Sequence, residues 1–197
     1  MNAMLGKTEL SDENGEFRPG IVHRLDKNTT GVMVVAKNNF AHQNLASQIQ
    51  EHKIKKIYLA LVRGVVKENE AVIELPIGRH PTDRKKQAVI KGGREAYTRF
   101  KVLERFLGYT LVEVELKTGR THQIRVHMAH IGYPVVGDDT YSSGKNPFGI
   151  TSQMLHSHIL GFTHPTKNEW VEFTAPLPEE FEKVLCQLRN KESEEEE

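Results

Sequence analysis

The chain has 197 residues, 38% of them hydrophobic, which suffices for one domain with a substantial core. No apolar run approaches the ~20 residues of a membrane span, and residues 1–12 carry no signal-peptide pattern. The single cysteine, Cys186, leaves no disulfide framework and no cysteine-rich zinc module, so a reducing cytoplasm is the expected compartment.

In chain order, Val32 to Ala36 is a continuous apolar run and reads as a buried strand. Asn39 is placed to cap a helix that turns Ala41, Leu45, Ala46 and Ile49 to one side. Ile57 to Val62, aliphatic apart from Tyr58 and closed by Gly64, reads as the next strand. Thr98, Phe100 and Val102 alternate with Arg99 and Lys101, and Val112, Val114 and Leu116 with Glu113, Glu115 and Lys117. That period of two predicts a pair of antiparallel strands, each with one wet face, joined near Gly108. From Thr121 to Ile131 the spacing becomes helical, with Gly132 as the stop. Trp170 and Phe173 fall in a final strand, and Pro178 opens an amphipathic helix through Phe181, Val184, Leu185 and Leu188. The elements predict an α+β domain: a mixed, mostly antiparallel sheet with flanking helices.

The net charge of +1 conceals an uneven distribution. Without residues 191–197, an acidic run that reads as a disordered tail, the chain holds 26 basic and 21 acidic residues. Between Arg79 and Arg105 stand nine Lys/Arg, including Arg84, Lys85 and Lys86, against three acids. Such a stretch supplies sequence-independent affinity for phosphates, unless it is only a solvated hairpin.

Two polar runs carry candidate chemistry. His23-Arg24-Leu25-Asp26-Lys27-Asn28-Thr29-Thr30-Gly31 sets one carboxylate among cations before the first strand, and Thr118 to His127 concentrates two arginines and two histidines at a strand-to-helix junction. Together they describe either one site for an anionic substrate or two solvated turns. The ten histidines also raise the question of a metal, but neither His127/His130 nor His156/His158 has an acid at ligand spacing, so none is expected.

Arg18-Pro19-Gly20-Ile21-Val22-His23-Arg24-Leu25-Asp26, with Thr29 and Gly31, resembles the catalytic signature of the RluA/RluD-type RNA pseudouridine synthases. Three further runs resemble that family in the same order: Lys56 to Val62, Thr118 to Met128, and Leu155-His156-Ser157-His158. A lone HRxD also occurs in kinase catalytic loops, but no Gly-rich phosphate loop or Asp-Phe-Gly accompanies it. The resemblance implies the pseudouridine synthase catalytic fold over residues 18–190, with a central cleft across the sheet. Residues 1–17 would be the remnant of a longer N-terminal segment, without the family's Asn-Lys-Pro strand or an S4 domain.

The resemblance also implies a reaction. The N1–C1′ bond of a uridine breaks, the base turns, and C5 rejoins the sugar, with no cofactor. Asp26 would act at the ribose, by attack at C1′ or removal of the C2′ proton, a role for which carboxylates have precedent at anomeric carbons. Arg125 would be its ion-pair partner, with Arg120 as the alternative. Tyr58 would stack on the uracil, with its hydroxyl near the C5 proton, or else be a core tyrosine. The base would be flipped out of a structured, ribosomal RNA, with Arg24 filling the vacated stack. His122 and Gln123 would meet phosphate or base edges. The chain would act as a cytoplasmic monomer without a membrane partner. Competing readings are a non-catalytic RNA-binding module of the same family and, more distantly, a glycoside hydrolase.

Overall fold

A computed structural model describes residues 10–13, 19–143 and 147–195. Three helices surround a seven-stranded sheet: α1 (Asn39–Gln50), α2 (Gln123–His130) and α3 (Glu179–Glu195). The sheet strands are β1 (Thr30–Gly31), β2 (Lys55–Arg63), β3 (Glu70–Glu74), β6 (Tyr97–Phe106), β7 (Tyr109–Leu116), β8 (Leu155–Thr163) and β9 (Trp170–Thr174). β4 (Ile77–Arg79) and β5 (Gln87–Val89) form a separate antiparallel hairpin. The main sheet runs β1-β8-β2-β7-β6-β3, with β9 also on β8. Only β1 on β8 is parallel, so the sheet is mixed and mostly antiparallel, as expected.

β2 lies between β7 and β8 and is buried on both faces from Ile57 to Val62, which explains its unbroken apolar run. Tyr58, Ala60 and Val62 join one core with Phe100, Val112, Ile124 and Met128; Leu61 joins another beneath α3. Each such aliphatic side chain contributes about 1.5–3 kcal/mol. β6 and β7 pair from Thr98↔Leu116 to Phe106↔Tyr109, and Gly108 takes the positive φ of 77° that their tight link needs.

Three elements differ from expectation. Val32 to Ala36 is not a strand of the sheet. Val34 N–H donates to His23 Nε2, Ala36 N–H to the Gly20 carbonyl, and Val35 bridges Ile21, so the segment pairs with the chain just before it. The cap of α1 is Asn38, whose Oδ1 accepts from Ala41 N–H at 2.9 Å, while the Asn39 side chain bonds Ser11 and Asp12. Ala46, placed on the inner face, is exposed. Finally, α3 continues to Glu195, so residues 191–195 are helical rather than disordered. Packing of Phe181, Val184, Leu185 and Leu188 nucleates the helix, and Glu and Lys propagate it readily. The proposed N-terminal remnant and Arg18 lie largely outside the described residues. Among those described, no helix is long and apolar enough to cross a membrane.

Candidate active site

A cleft opens where the loop before β1, the middle of β2 and the β7–α2 connection meet, lined by Arg24, Asp26, Tyr58, Arg120, His122 and their neighbours. The Asp26 loop is tied down on both sides. Thr29 N–H donates to the Asp26 carbonyl, and Gln153 Nε2 reaches both the Lys27 carbonyl (2.8 Å) and Thr29 Oγ1 (3.0 Å). Gly31, at φ 114°, passes so close to the Ser157 backbone that any side chain there would collide with it.

Arg125, on α2, brings its Nη1 to 3.5 Å from Asp26 Oδ2, so the two expected partners do meet. Its tighter partner is Asp138, from the loop after Gly137. Nε and Nη2 donate to the two Asp138 oxygens at 2.7 and 2.8 Å, and the Asp138 side chain is wholly buried. Asp138 Oδ1 also accepts from the Thr140 and Tyr141 N–H groups. Burial alone would raise its pKa, but the donors from Arg125 and these amides hold it below the usual carboxylate value. This bidentate clamp fixes the guanidinium plane, and the remaining nitrogen is aimed at Asp26. Asp138 thus caps the turn and also orients the arginine.

Tyr58 is 8% exposed and faces the same cleft. Burial pushes its phenol up to about 12; the hydrogen-bonded Ser157 hydroxyl pulls the other way and the Asp26 charge adds to the rise. A neutral ring for stacking fits that environment better than a phenolate base.

A family model described as RNA pseudouridylate synthase matches residues 3–130. The chain belongs to the RNA pseudouridylate synthase family. It is 48% identical over 182 residues to the uncharacterized RNA pseudouridine synthase YlyB of Bacillus subtilis, covering 92% of this chain and 60% of that one. It is 45% identical over 184 residues to the ribosomal large subunit pseudouridine synthase D of Pseudomonas aeruginosa, covering 87% of this chain and 57% of that one. The chain thus spans about three-fifths of the length of these relatives. Human RNA pseudouridylate synthase domain containing 1 superposes with a TM-score of 0.71 at 30% identity, over 85% of this chain and 79% of the human one. The RluA/RluD-type resemblance and the α+β pseudouridine synthase fold are both borne out.

Within this family fold, the other anticipated residues fall into distinct settings. Arg24 is exposed at the cleft rim beside Asp26. Arg120 donates from Nε to the Glu95 carbonyl and also borders the cleft, set apart from the Asp26–Arg125 pair. His122 adopts a left-handed φ of 56°, uncommon for a residue with a side chain. Tyr141 Oη accepts from Gln87 N–H and lies in hydrogen-bond contact with His122 Nδ1 at 2.8 Å. Burial lowers the His122 pKa most, against the pull of Asp26 and Asp138.

Gln123 needs correction as an RNA contact. It is 3% exposed, its oxygen accepts from Thr118 Oγ1 and Arg120 N–H, and its nitrogen donates to the Tyr97 carbonyl and Thr98 Oγ1. With every polar atom engaged, it holds the 118–122 loop in shape. The basic stretch is also divided. Arg99 pairs with Glu70, and Arg105 bonds the carbonyls of Val66, Lys67 and Glu68, whereas Arg84, Lys85 and Lys86 ride on the turn of the β4–β5 hairpin. Asp83 lies 4.0 Å from the Lys86 ammonium and accepts from the Lys85 backbone N–H.

The paired histidines are structural. His127 donates from Nε2 to the Leu75 carbonyl and accepts at Nδ1 from Thr98; His156 does the same with Ala175 and Thr30. Burial lowers the pKa of both.

Proposed function

We propose that this chain isomerises uridine to pseudouridine in structured RNA, with Asp26 acting at the ribose. The observation that carries the reading is that, among the described residues, Asp26 is the sole carboxylate lining the cleft and that a fixed arginine faces it. A glycosidase needs two available carboxylates across its site. The second acid here, Asp138, has both oxygens committed to Arg125 and to backbone amides. A single carboxylate suits a reaction in which the displaced base stays bound and is reused. The N1–C1′ bond breaks, the C5–C1′ bond forms, N1 gains a proton and C5 releases one, so the product is an isomer.

Tyr58 stacks on the uracil, Arg24 takes the place the base leaves in the RNA, and Arg120 and His122 contact the strand at the rim. Arg84, Lys85 and Lys86, on their projecting hairpin, bind phosphates farther away. The names of relatives such as the Pseudomonas protein favour large-subunit ribosomal RNA as the substrate.

The test is mass-spectrometric mapping of pseudouridine in RNA from cells with and without the chain, followed by rescue with Asp26→Asn. Loss of defined pseudouridines, restored by wild type and not by Asp26→Asn, is the expected outcome. Multiple turnover by Asp26→Asn would remove Asp26 from its role, since RNA binding through the phosphate contacts persists in that variant.

A further inference from the structure

Lys56 is a cation near the cleft for which neither the fold nor the reaction above has a use. It lies on β2 two residues before Tyr58, hence on the same face of the strand, one step of about 6.8 Å farther along. Its Nζ is 3.4 Å from the Thr118 carbonyl and lies beneath Gly119, where even a methyl group would come within 3.8 Å of it. Among the described residues no carboxylate pairs with it.

The groups that face Lys56 are His23, from the loop before β1, and Arg120, from the β7–α2 connection, with Arg94 and Glu95 acting on Arg120 in turn. His23 accepts from Val34 N–H, and burial first, then the Lys56 charge, lower its pKa to about 4, so it is neutral. Among the described residues the Arg120 guanidinium bonds through its Nε to the Glu95 carbonyl. Burial, and then Arg120, lower the Lys56 pKa to about 8. An ammonium held this way is unfavourable by itself, and an anion relieves it.

We propose that Lys56 and Arg120, with side-chain-free Gly119 between them, form a subsite for the phosphodiester adjoining the nucleoside bound over Tyr58. The proposal rests on the RNA reading of the cleft. A phosphodiester is the anion that RNA carries next to every base, it is charged throughout the working pH range, and it accepts from ammonium and guanidinium together.

The probe is uridine 3′,5′-bisphosphate compared with uridine, titrated by NMR into the full chain. Wild type binds the bisphosphate about tenfold or more tighter than uridine. Lys56→Gln loses most of that preference and Lys56→Arg keeps it. As pH rises from 7 to 9.5 the ammonium deprotonates, so the wild-type preference declines while that of Lys56→Arg stays flat. Lys56→Met melts at a higher temperature than wild type at pH 7, and the gap narrows towards pH 10 as the wild-type ammonium is neutralised; a merely structural lysine gives the opposite sign.

Equal binding of the two probes by wild type, or an unchanged preference in Lys56→Gln, overturns the subsite. If Lys56→Gln does not fold, the wild-type and Lys56→Arg pH profiles decide. The outcome is separable from that of the isomerase reading. Bisphosphate selectivity in a chain whose loss alters no pseudouridine keeps the subsite and removes the reaction, and a working isomerase indifferent to Lys56 does the reverse.

Discussion

Two cations close to the same cleft, Arg125 buried and Lys56 half-buried, are treated in opposite ways. Arg125 is enclosed by acid: Asp138 grips it through two hydrogen bonds and Asp26 stands at 3.5 Å. Lys56 has a carbonyl, a neutral imidazole and another cation. The first charge is compensated within the protein, so it stabilises and orients. The second is left uncompensated, a state that folding alone does not reward. Charge balance, rather than distance from Asp26, separates the residue that shapes the site from the one that awaits a ligand.

The comparison is broken most severely at Arg125. Arg125→Ala strands Asp138 in the interior and is expected to cost about 3–5 kcal/mol in urea unfolding, along with activity. Arg120→Ala, at the rim, is expected to cost under about 1 kcal/mol and to weaken RNA binding instead. The opposite ranking would mean that Arg120 is the structural arginine.

Next in size is the acid response of the clamp. The folded pKa of Asp138 is depressed, so its contribution is complete above the unfolded value and is lost as pH falls through the folded one. Wild type should lose stability below about pH 4, and Asp138→Asn, less stable at neutral pH, should show an acid limb shallower by up to ~1.4 kcal/mol per pH unit. Identical acid limbs would show that the clamp does not titrate with folding.

Tyr58→Phe should have the smallest effect. Loss of the bond to Ser157 costs about 0.5–1.5 kcal/mol, and single-turnover chemistry stays near the wild-type rate because the ring remains. Tritium release from C5 is the readout. A variant that breaks the glycosidic bond yet stalls before releasing tritium would return the proton-handling role to the hydroxyl.

How far the sequence could be read depended on whether neighbours along the chain or across it set each feature. The β6–β7 hairpin and the face of α3 follow from local periodicity and were legible. So was the meeting of Asp26 with Arg125, though through family resemblance and not through spacing. Asp138 was not, because an acid after Gly137 in an irregular loop looks like any turn residue until Arg125 is seen beside it. Gln123 misled for a related reason: a polar residue in a polar motif reads as a ligand contact, whereas four neighbouring groups consume its amide internally. Val32 to Ala36 had strand composition, but beyond Val32, which bonds Ser157 of β8, its hydrogen bonds turn to Ser11, Gly20 and His23.

The close approach of Gly31 to Ser157 has a mechanical consequence. With that glycine wedged against β8 and Gln153 gripping the Lys27 carbonyl and Thr29, the wall bearing Asp26 is a fixed jaw with almost no slack. Any widening of the cleft therefore falls to the opposite jaw, residues 119–122 and the hairpin linked to them through Tyr141 and Gln87.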